Sequence, residues 1–404
     1  MDLRRNSKLE GTAYGRGPQH PNHLLTQVGP GTPCGEMMRR FWQPVLASKN
    51  VTSRPREIRI LGEDLLVFRD GSGRAGLIYP RCMHRGTSLL YGHVEPDGIR
   101  CCYHGWKFSV QGECIDQPCE PNGGANKEAA RQPWYPVEER YGLVWTYMGP
   151  PDRRPVLPRW DVLEALTDAE DYQVFDNSWG AHRDPAGPEV VPYSWLHMND
   201  NIMDPFHVQV LHSTFSVTQF VREFEVMPTV DFEYLDAGVI YKAYRRLDDG
   251  REVDRISTWL MPNIMSVPST ELAAGSSTGM GFVVPVDDTH SRIVGVARMK
   301  KGVTRQPYRV NGKTWSQMTL EERQDVPNDY EAQSGQGPIS LHSEEHLATS
   351  DRGIAMQRRF LEQQIRAVQD GGDPAGVILD PARETVKVPS GNFFRQAETA
   401  KEPA

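Results

Sequence analysis

Long apolar runs are absent from this 404-residue sequence. No stretch approaches the roughly 18 apolar residues that a membrane-spanning helix needs, so we expect no membrane partner. Residues 1–8 (MDLRRNSK) are basic, but no apolar segment follows them, which is atypical of a secretory signal. We therefore expect a cytoplasmic protein.

Cysteine and net positive charge are also scarce. Six cysteines are too few for a disulfide framework in a chain of this length, and five of them lie between residues 82 and 119. Such clustering indicates a metal site in a reducing compartment. The net charge of −8 argues against nucleic-acid binding. The sequence has no glycine motif for a flavin or nicotinamide and no plant-type ferredoxin cysteine pattern.

The sequence divides by texture into an N-terminal arm and two domains. Residues 1–43 are an arm rich in Gly, Pro and His, with a short amphipathic helix from Gly35 to Gln43. Residues 44–155 contain short strand-like runs between Gly, Pro and Asp turns, which is typical of an all-β domain. Residues 156–404 combine strand-like runs with helical segments, including a helix from Ser350 to Val368. This pattern predicts an α+β protein.

The first metal motif consists of two short loops. Cys82-Met-His84 is followed, after sixteen residues, by Cys101-Cys-Tyr-His104. Two thiolates and two imidazoles could bind one tetrahedral zinc ion. They could also bind a 2Fe–2S cluster, with thiolates on one iron and imidazoles on the other. A Cys-x-His pair within one loop is unusual for zinc fingers and favours the iron–sulfur interpretation.

The second motif lies in residues 201–212 (NIMDPFHVQVLH). Asp204 suits a helix N-cap and Pro205 suits the first turn, which predicts a helix from about residue 205. In a regular α-helix, His207 and His212 point about 140° apart. They converge on one metal ion only if the helix bends or widens between them. Imidazoles bind iron, zinc and copper well; the alternative is a capped helix with two ordinary histidines.

The two loops, RCMHRGTSL and RCCYHGWKF, closely resemble the cluster-binding loops of Rieske iron–sulfur proteins, although Cys102 stands where that family usually has proline. Such a domain followed by Asn-x-x-Asp-x-x-His-x-x-x-x-His resembles the α subunits of Rieske non-haem iron aromatic-ring-hydroxylating oxygenases. The segment NHLLTQVGPGTPCGEMMRRFWQPV looks like their phthalate-dioxygenase branch. The resemblance covers most of the chain. It implies an all-β Rieske domain and an α+β catalytic domain of helix-grip type, whose central antiparallel sheet is flanked by helices.

The resemblance implies two cofactors per chain, a 2Fe–2S cluster and one Fe²⁺. The implied cluster ligands are Cys82, His84, Cys101 and His104. The implied iron ligands are His207, His212 and a distant carboxylate, which we assign to Asp329 because it opens a helix ending in Gly-Gln-Gly-Pro. Asp325 and Asp351 are the alternatives.

Asp204 has a different role in the resemblance. It would link His207 of one subunit to His104 of its neighbour as a short path for electrons, which implies a homotrimer or stacked trimers. Asn201, one turn earlier, could form a hydrogen bond near the iron or face solvent.

The implied reaction uses O₂ and externally supplied electrons to hydroxylate an aromatic, carboxylated substrate, as in phthalate-like ring dihydroxylation. The alternative is O-demethylation of a methoxylated aromatic acid. The electrons would come from a separate NADH-dependent flavin iron–sulfur reductase.

The substrate pocket is expected to be lined by residues of the central helix and the sheet, namely Trp195, Asn199, Ile202, Trp259, Met261, Ile264 and Phe282. A carboxylated substrate would need a buried cation, because an unpaired buried charge is costly. The candidates are Arg222, Arg245, Arg246, Arg255 and Arg298. For each of them a solvated charge on a strand face is the preferred interpretation, so none is assigned to the site.

Overall fold

The computed structural model describes residues 19–124, 127–176, 184, 186–215, 219–303 and 309–396. Residues 1–18 of the predicted arm and residues 397–404 of the predicted α+β domain lie outside the described residues. In the part of the chain that is described, every helix is too short or too polar to cross a bilayer.

Short strands build the part of the chain that precedes residue 148. They are β1 (Trp42–Ala47), β2 (Arg56–Ile60), β3 (Glu63–Arg69), β4 (Ala75–Ile78), β5 (His93–Glu95), β6 (Gly98–Arg100), β7 (Lys107–Phe108), β8 (Cys114–Asp116), β9 (Trp134–Tyr135), β10 (Val137–Arg140) and β11 (Leu143–Tyr147). They form sheets of order β1-β11-β10, β2-β3-β4-β9 and β5-β6-β7-β8. The all-β texture predicted here is confirmed. The first predicted metal loop lies between β4 and β5, and the second lies between β6 and β7.

A larger antiparallel sheet dominates the rest of the chain. The strands of this part are β12 (Arg159–Trp160), β13 (Glu170–Phe175), β14 (Thr229–Leu235), β15 (Gly238–Arg246), β16 (Arg251–Leu260), β17 (Ile264–Ser266), β18 (Gly275–Ser276), β19 (Gly279–Pro285), β20 (Ser291–Lys300), β21 (Thr385–Val386) and β22 (Gly391–Gln396). The main path is β13-β20-β19-β17-β16-β15-β14, and β22 pairs with both β16 and β18. The predicted central antiparallel sheet is confirmed.

Helices flank this sheet. They are α1 (His23–Thr26), α2 (Pro33–Met38), α3 (Asp161–Glu164), α4 (Trp195–Ile202), α5 (His207–Gln209), α6 (Leu320–Asp325), α7 (Asp329–Ser334) and α8 (Arg352–Gln369). The amphipathic helix α8 packs against β14 and β15, and Ile354, Leu361, Ile365 and Val368 form its buried face as predicted. Helix α2 starts earlier than predicted, because the Thr32 side chain caps it, and Gln43 belongs to β1.

The two parts of the chain share one hydrophobic core. Trp145 of β11 packs edge to face on Phe282 of β19, with ring centroids 4.9 Å apart. A smaller core contains Cys82 and Cys101 together with Phe68 and other apolar side chains. The predicted cluster cysteines therefore lie in an apolar environment on a rigid base of short strands.

Candidate functional site

The same backbone hydrogen bonds close both metal loops. The Gly86 N–H donates to the Cys82 carbonyl at 2.8 Å, and the Gly105 N–H donates to the Cys101 carbonyl at 3.1 Å. Each cysteine N–H in turn donates to the carbonyl five residues later, at 2.9 and 2.8 Å. The two glycines have φ of 78° and 71°, a left-handed conformation that glycine adopts readily. Two unrelated stretches therefore form matching turns.

The side chains of these loops suit metal binding. Cys82 and Cys101 are buried, and burial, with Cys101 alongside, raises the pKa of the Cys82 thiol to about 12. A thiol in such surroundings becomes a thiolate when a metal ion replaces its proton. The His84 and His104 rings lie 4.5 Å apart, and His84 stacks on Trp106 at 4.4 Å. Among the described residues, the buried Nδ1 of His84 has no hydrogen-bond partner, as expected of a metal ligand.

The positions of the four side chains distinguish a single zinc ion from a 2Fe–2S cluster. One tetrahedral zinc would bring all four ligand atoms close to a single point. In the described part of the chain, no three of Cys82, His84, Cys101 and His104 bring their ligand atoms within 4.8 Å of one another. Ligands divided between two irons satisfy this separation. Cys102 is exposed beside the second loop.

The helix that carries the two histidines of the second motif widens between them. Helix α5 begins at His207, two residues later than predicted, and continues into a π-helical segment, Val210–Phe215. A π-turn closes i→i+5 hydrogen bonds, so that side chains five residues apart lie one above the other. The His207 and His212 rings are 5.5 Å apart. The widening that convergence requires is present.

Asp329 faces both histidines from the start of α7. Asn328 caps this helix, and Asp329 Oδ1 lies 3.5 Å from His207 Nε2 and 3.3 Å from His212 Nε2. Within the described residues these three form the one set of potential ligands whose atoms all lie within 4.8 Å of one another. Asp325 is exposed at the end of α6 and lies outside this set.

The alternative carboxylate, Asp351, also lies outside the set. It accepts a hydrogen bond from the Ala348 N–H at the start of α8. The predicted ligands His207, His212 and Asp329 are thus brought together, and their binding of iron stays a prediction. We call these three residues the triad.

The other ring nitrogens of the triad are also held. His207 Nδ1 lies 2.5 Å from the Asp204 carbonyl oxygen and 3.6 Å from the Asp204 carboxylate. His212 Nδ1 lies 2.8 Å from Gln219 Oε1. The Asn201 amide donates to Asp329 Oδ1 at 2.9 Å, so Asn201 contacts the triad. Sequence reasoning missed Gln219, and no motif marks it.

The electrostatics of this group favour a cation. Burial opposes protonation of His207, but the neighbouring Asp204 and Asp329 carboxylates raise its pKa overall. Burial likewise opposes ionisation of Asp204, yet His207 and nearby backbone amides lower its pKa overall. Two imidazoles and the Asp329 carboxylate are a typical donor set for a divalent first-row metal ion, and Asp204 adds a second negative charge next to His207.

A cavity of about 600 Å³ opens onto the triad. This volume lies within the range of small-molecule sites. Its apolar lining includes Met198, Ile202, Phe220, Met265 and Met280. Among the expected lining residues only Ile202 contacts the cavity. Trp259, for example, is fully buried in the core, where its Nε1 donates to Asn199 at 2.9 Å. Among the candidate arginines, only Arg255 lines the cavity.

The fold and the two metal sites define an iron-dependent oxygenase, and comparison with known proteins agrees. A model of the Rieske [2Fe-2S] domain matches residues 41–136. The chain belongs to the α subunits of the Rieske non-haem iron oxygenases, on the phthalate-dioxygenase-like side of that family. Its cofactors are a 2Fe–2S cluster and non-haem iron, and it is the component that uses O₂ and electrons from a separate protein.

Individual relatives cover nearly the whole chain. The sequence is 54% identical over 395 residues to the phenoxybenzoate dioxygenase subunit alpha of Ectopseudomonas oleovorans, spanning 98% of this chain and 97% of that protein. It is 32% identical over 379 residues to the 5,5'-dehydrodivanillate O-demethylase oxygenase subunit of a Sphingobium species, spanning 89% and 83%. The oxygenase in the ferredoxin complex of carbazole 1,9a-dioxygenase has the same fold, with a TM-score of 0.57 at 18% identity over 87% of this chain and 97% of that chain.

Proposed function

We propose that this oxygenase dihydroxylates the ring of a carboxylated two-ring aromatic ether of the phenoxybenzoate type. The observation that carries this proposal is the 54% identity to a phenoxybenzoate dioxygenase subunit over 98% of the chain. The mostly apolar cavity of about 600 Å³ beside the triad supports it, since this space accommodates two aromatic rings. The polar groups in its lining could orient such a substrate.

O-demethylation of a methoxylated aromatic acid is the second candidate. It is favoured by the 32% identity to the oxygenase subunit of an O-demethylase. The cavity suits both reactions, because each needs an aromatic ring held beside the triad.

The proposed cluster ligands are Cys82, His84, Cys101 and His104, and the proposed iron ligands are His207, His212 and Asp329. When bound, the cluster supplies electrons and the ferrous iron activates O₂ for attack on the substrate. The matching loop turns and the convergence of the triad support these assignments. The hydrogen bonds at the Nδ1 atoms of both triad histidines orient their Nε2 atoms toward Asp329.

We further propose that Asp204 connects the iron site of one subunit to the cluster of the next in a homotrimer or in stacked trimers. Its side chain is 28% exposed, so a neighbouring subunit could reach it. Tyr91 and Tyr103 are exposed near the metal loops, and Phe215 is exposed near the triad. Exposed aromatic side chains at two different places on one chain suit a head-to-tail contact, which forms a ring when the rotation between subunits closes.

The remaining proposals concern organisation and partners. We divide the chain into an arm (1–43), a Rieske domain (44–155) and a catalytic domain (156–404), supported by the match of residues 41–136 to the Rieske model. The electron donor is proposed to be an NADH-dependent flavin iron–sulfur reductase, acting in the cytoplasm.

Turnover of defined substrates under ¹⁸O₂ with a surrogate reductase tests the proposed reaction. Phenoxybenzoates and methoxylated aromatic acids would be compared by oxygen uptake, product mass and formaldehyde release. Ring dihydroxylation should incorporate two labelled oxygen atoms without formaldehyde. Formaldehyde from the methoxylated acids, with no turnover of phenoxybenzoate, would instead establish the O-demethylase. Failure to turn over either class would contradict both candidates.

A further inference from the structure

Arg255 is a buried cation in the wall of the active-site cavity. It is 4% exposed, and it is the only lysine or arginine among the described residues that line this cavity. It lies in β16 opposite Ala243 of β15 and Asn392 of β22, in the middle of the sheet. The side chain is therefore held by rigid strands on both sides.

The hydrogen bonds of Arg255 orient it without neutralising it. Nη1 donates to the Ser269 carbonyl at 2.9 Å and to Asn392 Oδ1 at 3.0 Å, and Nη2 donates to the Pro268 carbonyl at 2.8 Å. All three acceptors are neutral. Nε is buried and has no hydrogen-bond partner among the described residues, and none of the Arg255 side-chain hydrogen bonds there ends on a carboxylate. Burying a guanidinium without a counter-ion is costly.

A second cation increases this imbalance. The guanidinium carbons of Arg245 and Arg255 each lie 5.1 Å from the centroid of the Phe224 ring. Arg245 is also buried and forms no ion pair with a described residue, and burial, together with repulsion from Arg255, lowers its pKa to about 10. The aromatic ring offsets part of the charge. A carboxylate beside Arg255 would neutralise more of this positive charge than the aromatic ring does.

The remaining charges of the cavity determine where an anion can lie. Asp329 belongs to the triad, and Asp184 accepts hydrogen bonds from the N–H and hydroxyl groups of Ser316. Glu271 lies on the exposed loop beside Arg255. With Asp329 held by the triad's metal ion and Asp184 by Ser316, Arg255 is the described cation of the lining that has no counter-ion, and it attracts a substrate carboxylate. The rest of the substrate is then free to extend toward the triad.

We propose that Arg255 binds the carboxylate of the substrate and so determines which end of the molecule faces the iron ligands. The guanidinium offers its positive charge and the second N–H of Nη2, because Nη2 carries two hydrogens and donates to a single carbonyl oxygen. Charge-assisted hydrogen bonds of this kind are strong. This inference rests on the proposed aromatic-acid substrate. It assigns the specificity for the acid to one side chain in the sheet.

Binding measurements test the proposal without turnover. The intact holoenzyme, without reductase, would be titrated by calorimetry with 3-phenoxybenzoate and with its neutral amide, 3-phenoxybenzamide. The unmodified protein should bind the acid about 30-fold more tightly than the amide, since removing one partner of a buried charge pair has at least this effect. Arg255→Gln should abolish this preference by weakening the binding of the acid alone.

Two further variants keep the test decisive. Arg245→Gln removes an equally buried arginine beside the same ring but outside the cavity lining, and it should retain the preference for the acid. Arg255→Lys keeps the charge but not the planar donor set, and it should weaken binding of the acid by about tenfold. If Arg255→Gln does not fold with its red-brown cluster intact, Arg255→Lys carries the comparison.

The outcomes separate this inference from the proposed function. If Arg255→Gln keeps the full preference for the acid, the role of Arg255 is wrong and the aromatic-acid substrate still stands. The same conclusion follows from full preference in Arg255→Lys when Arg255→Gln does not fold. Equal binding of the acid and the amide by the unmodified protein would overturn both. A preference for the acid that is lost in Arg255→Gln, reduced in Arg255→Lys and kept in Arg245→Gln supports the proposal, whereas equal losses in Arg245→Gln and Arg255→Gln would overturn it.

Discussion

Gln219 ties His212 to the segment that carries Asp329. Its Oε1 lies 2.8 Å from His212 Nδ1, and its Nε2 donates to the Pro327 carbonyl at 2.9 Å. Donation from Nδ1–H fixes the tautomer of His212 and leaves Nε2 to face Asp329. The Gln219 amide therefore orients His212 and also holds the backbone two residues before Asp329.

Gln219→Leu should weaken binding of Fe²⁺ by about 10-fold to 100-fold, the usual effect of removing a partner of a metal-bound histidine. Iron content after graded chelator treatment, with cluster absorption as an internal reference, measures this. Gln219→Glu retains an acceptor for Nδ1–H and should keep most of the affinity. Equal iron retention in the leucine variant and the unmodified protein would contradict the role of Gln219.

Asp204→Asn should leave both metals bound and slow product formation by about tenfold or more. Iron should stay, because His207 Nδ1 is closest to the Asp204 backbone carbonyl, at 2.5 Å, which the substitution keeps. Metal analysis combined with single-turnover product yield distinguishes the two effects. If iron is lost, Asp204 is itself a ligand and its proposed role between subunits is wrong.

Asp329→Ala should deplete the mononuclear iron while leaving the red-brown cluster in place, because the metal loops lie far from α7 in the chain. Loss of one of three ligands should reduce iron affinity by at least about tenfold. Asp325→Ala is the matched control, since Asp325 lies four residues earlier and is exposed at the end of α6. Normal iron content in Asp329→Ala, or depletion in Asp325→Ala, would reverse the assignment.

Much of the sheet could be predicted from local sequence. In the sequence, residues 238–246 and 291–300 are strand-like runs between turn residues, and they form β15 and β20. The predicted pocket lining was mostly wrong for a physical reason. Arg255 and Trp259 lie on the same face of β16, yet Arg255 lines the cavity and Trp259 is in the core. Alternation identifies a face but not which part of that face a cavity exposes.

The sequence predicted only those parts of the site whose residues lie close together in the chain. The spacing of His207 and His212 required a bent or widened helix, but it could not specify the π-helical segment that provides the widening. Asp329 was assigned through resemblance to a family, since the 116 residues between His212 and Asp329 give no local signal. Gln219 was missed because its contacts join His212 to Pro327 and depend on the tertiary fold.

Stability should fall as the pH drops from about 6.5 to 4, partly because of His197 in α4. This histidine is 3% exposed, and burial lowers its pKa to about 4. Over that range the unfolded chain binds a proton that the folded chain does not, so stability decreases with falling pH and is unaffected by this group above 6.5. The full effect is about 3 kcal/mol.

Urea unfolding at pH 7.5 and pH 5 would measure this difference. His197→Gln cannot titrate in this range but can still form a hydrogen bond to Ser340, whose Oγ lies 3.1 Å from His197 Nε2. The glutamine variant should therefore lose less stability on acidification than the unmodified protein. His346→Gln replaces an exposed histidine and serves as the matched control. An identical pH dependence in the His197 variant and the unmodified protein would mean that His197 becomes protonated without unfolding.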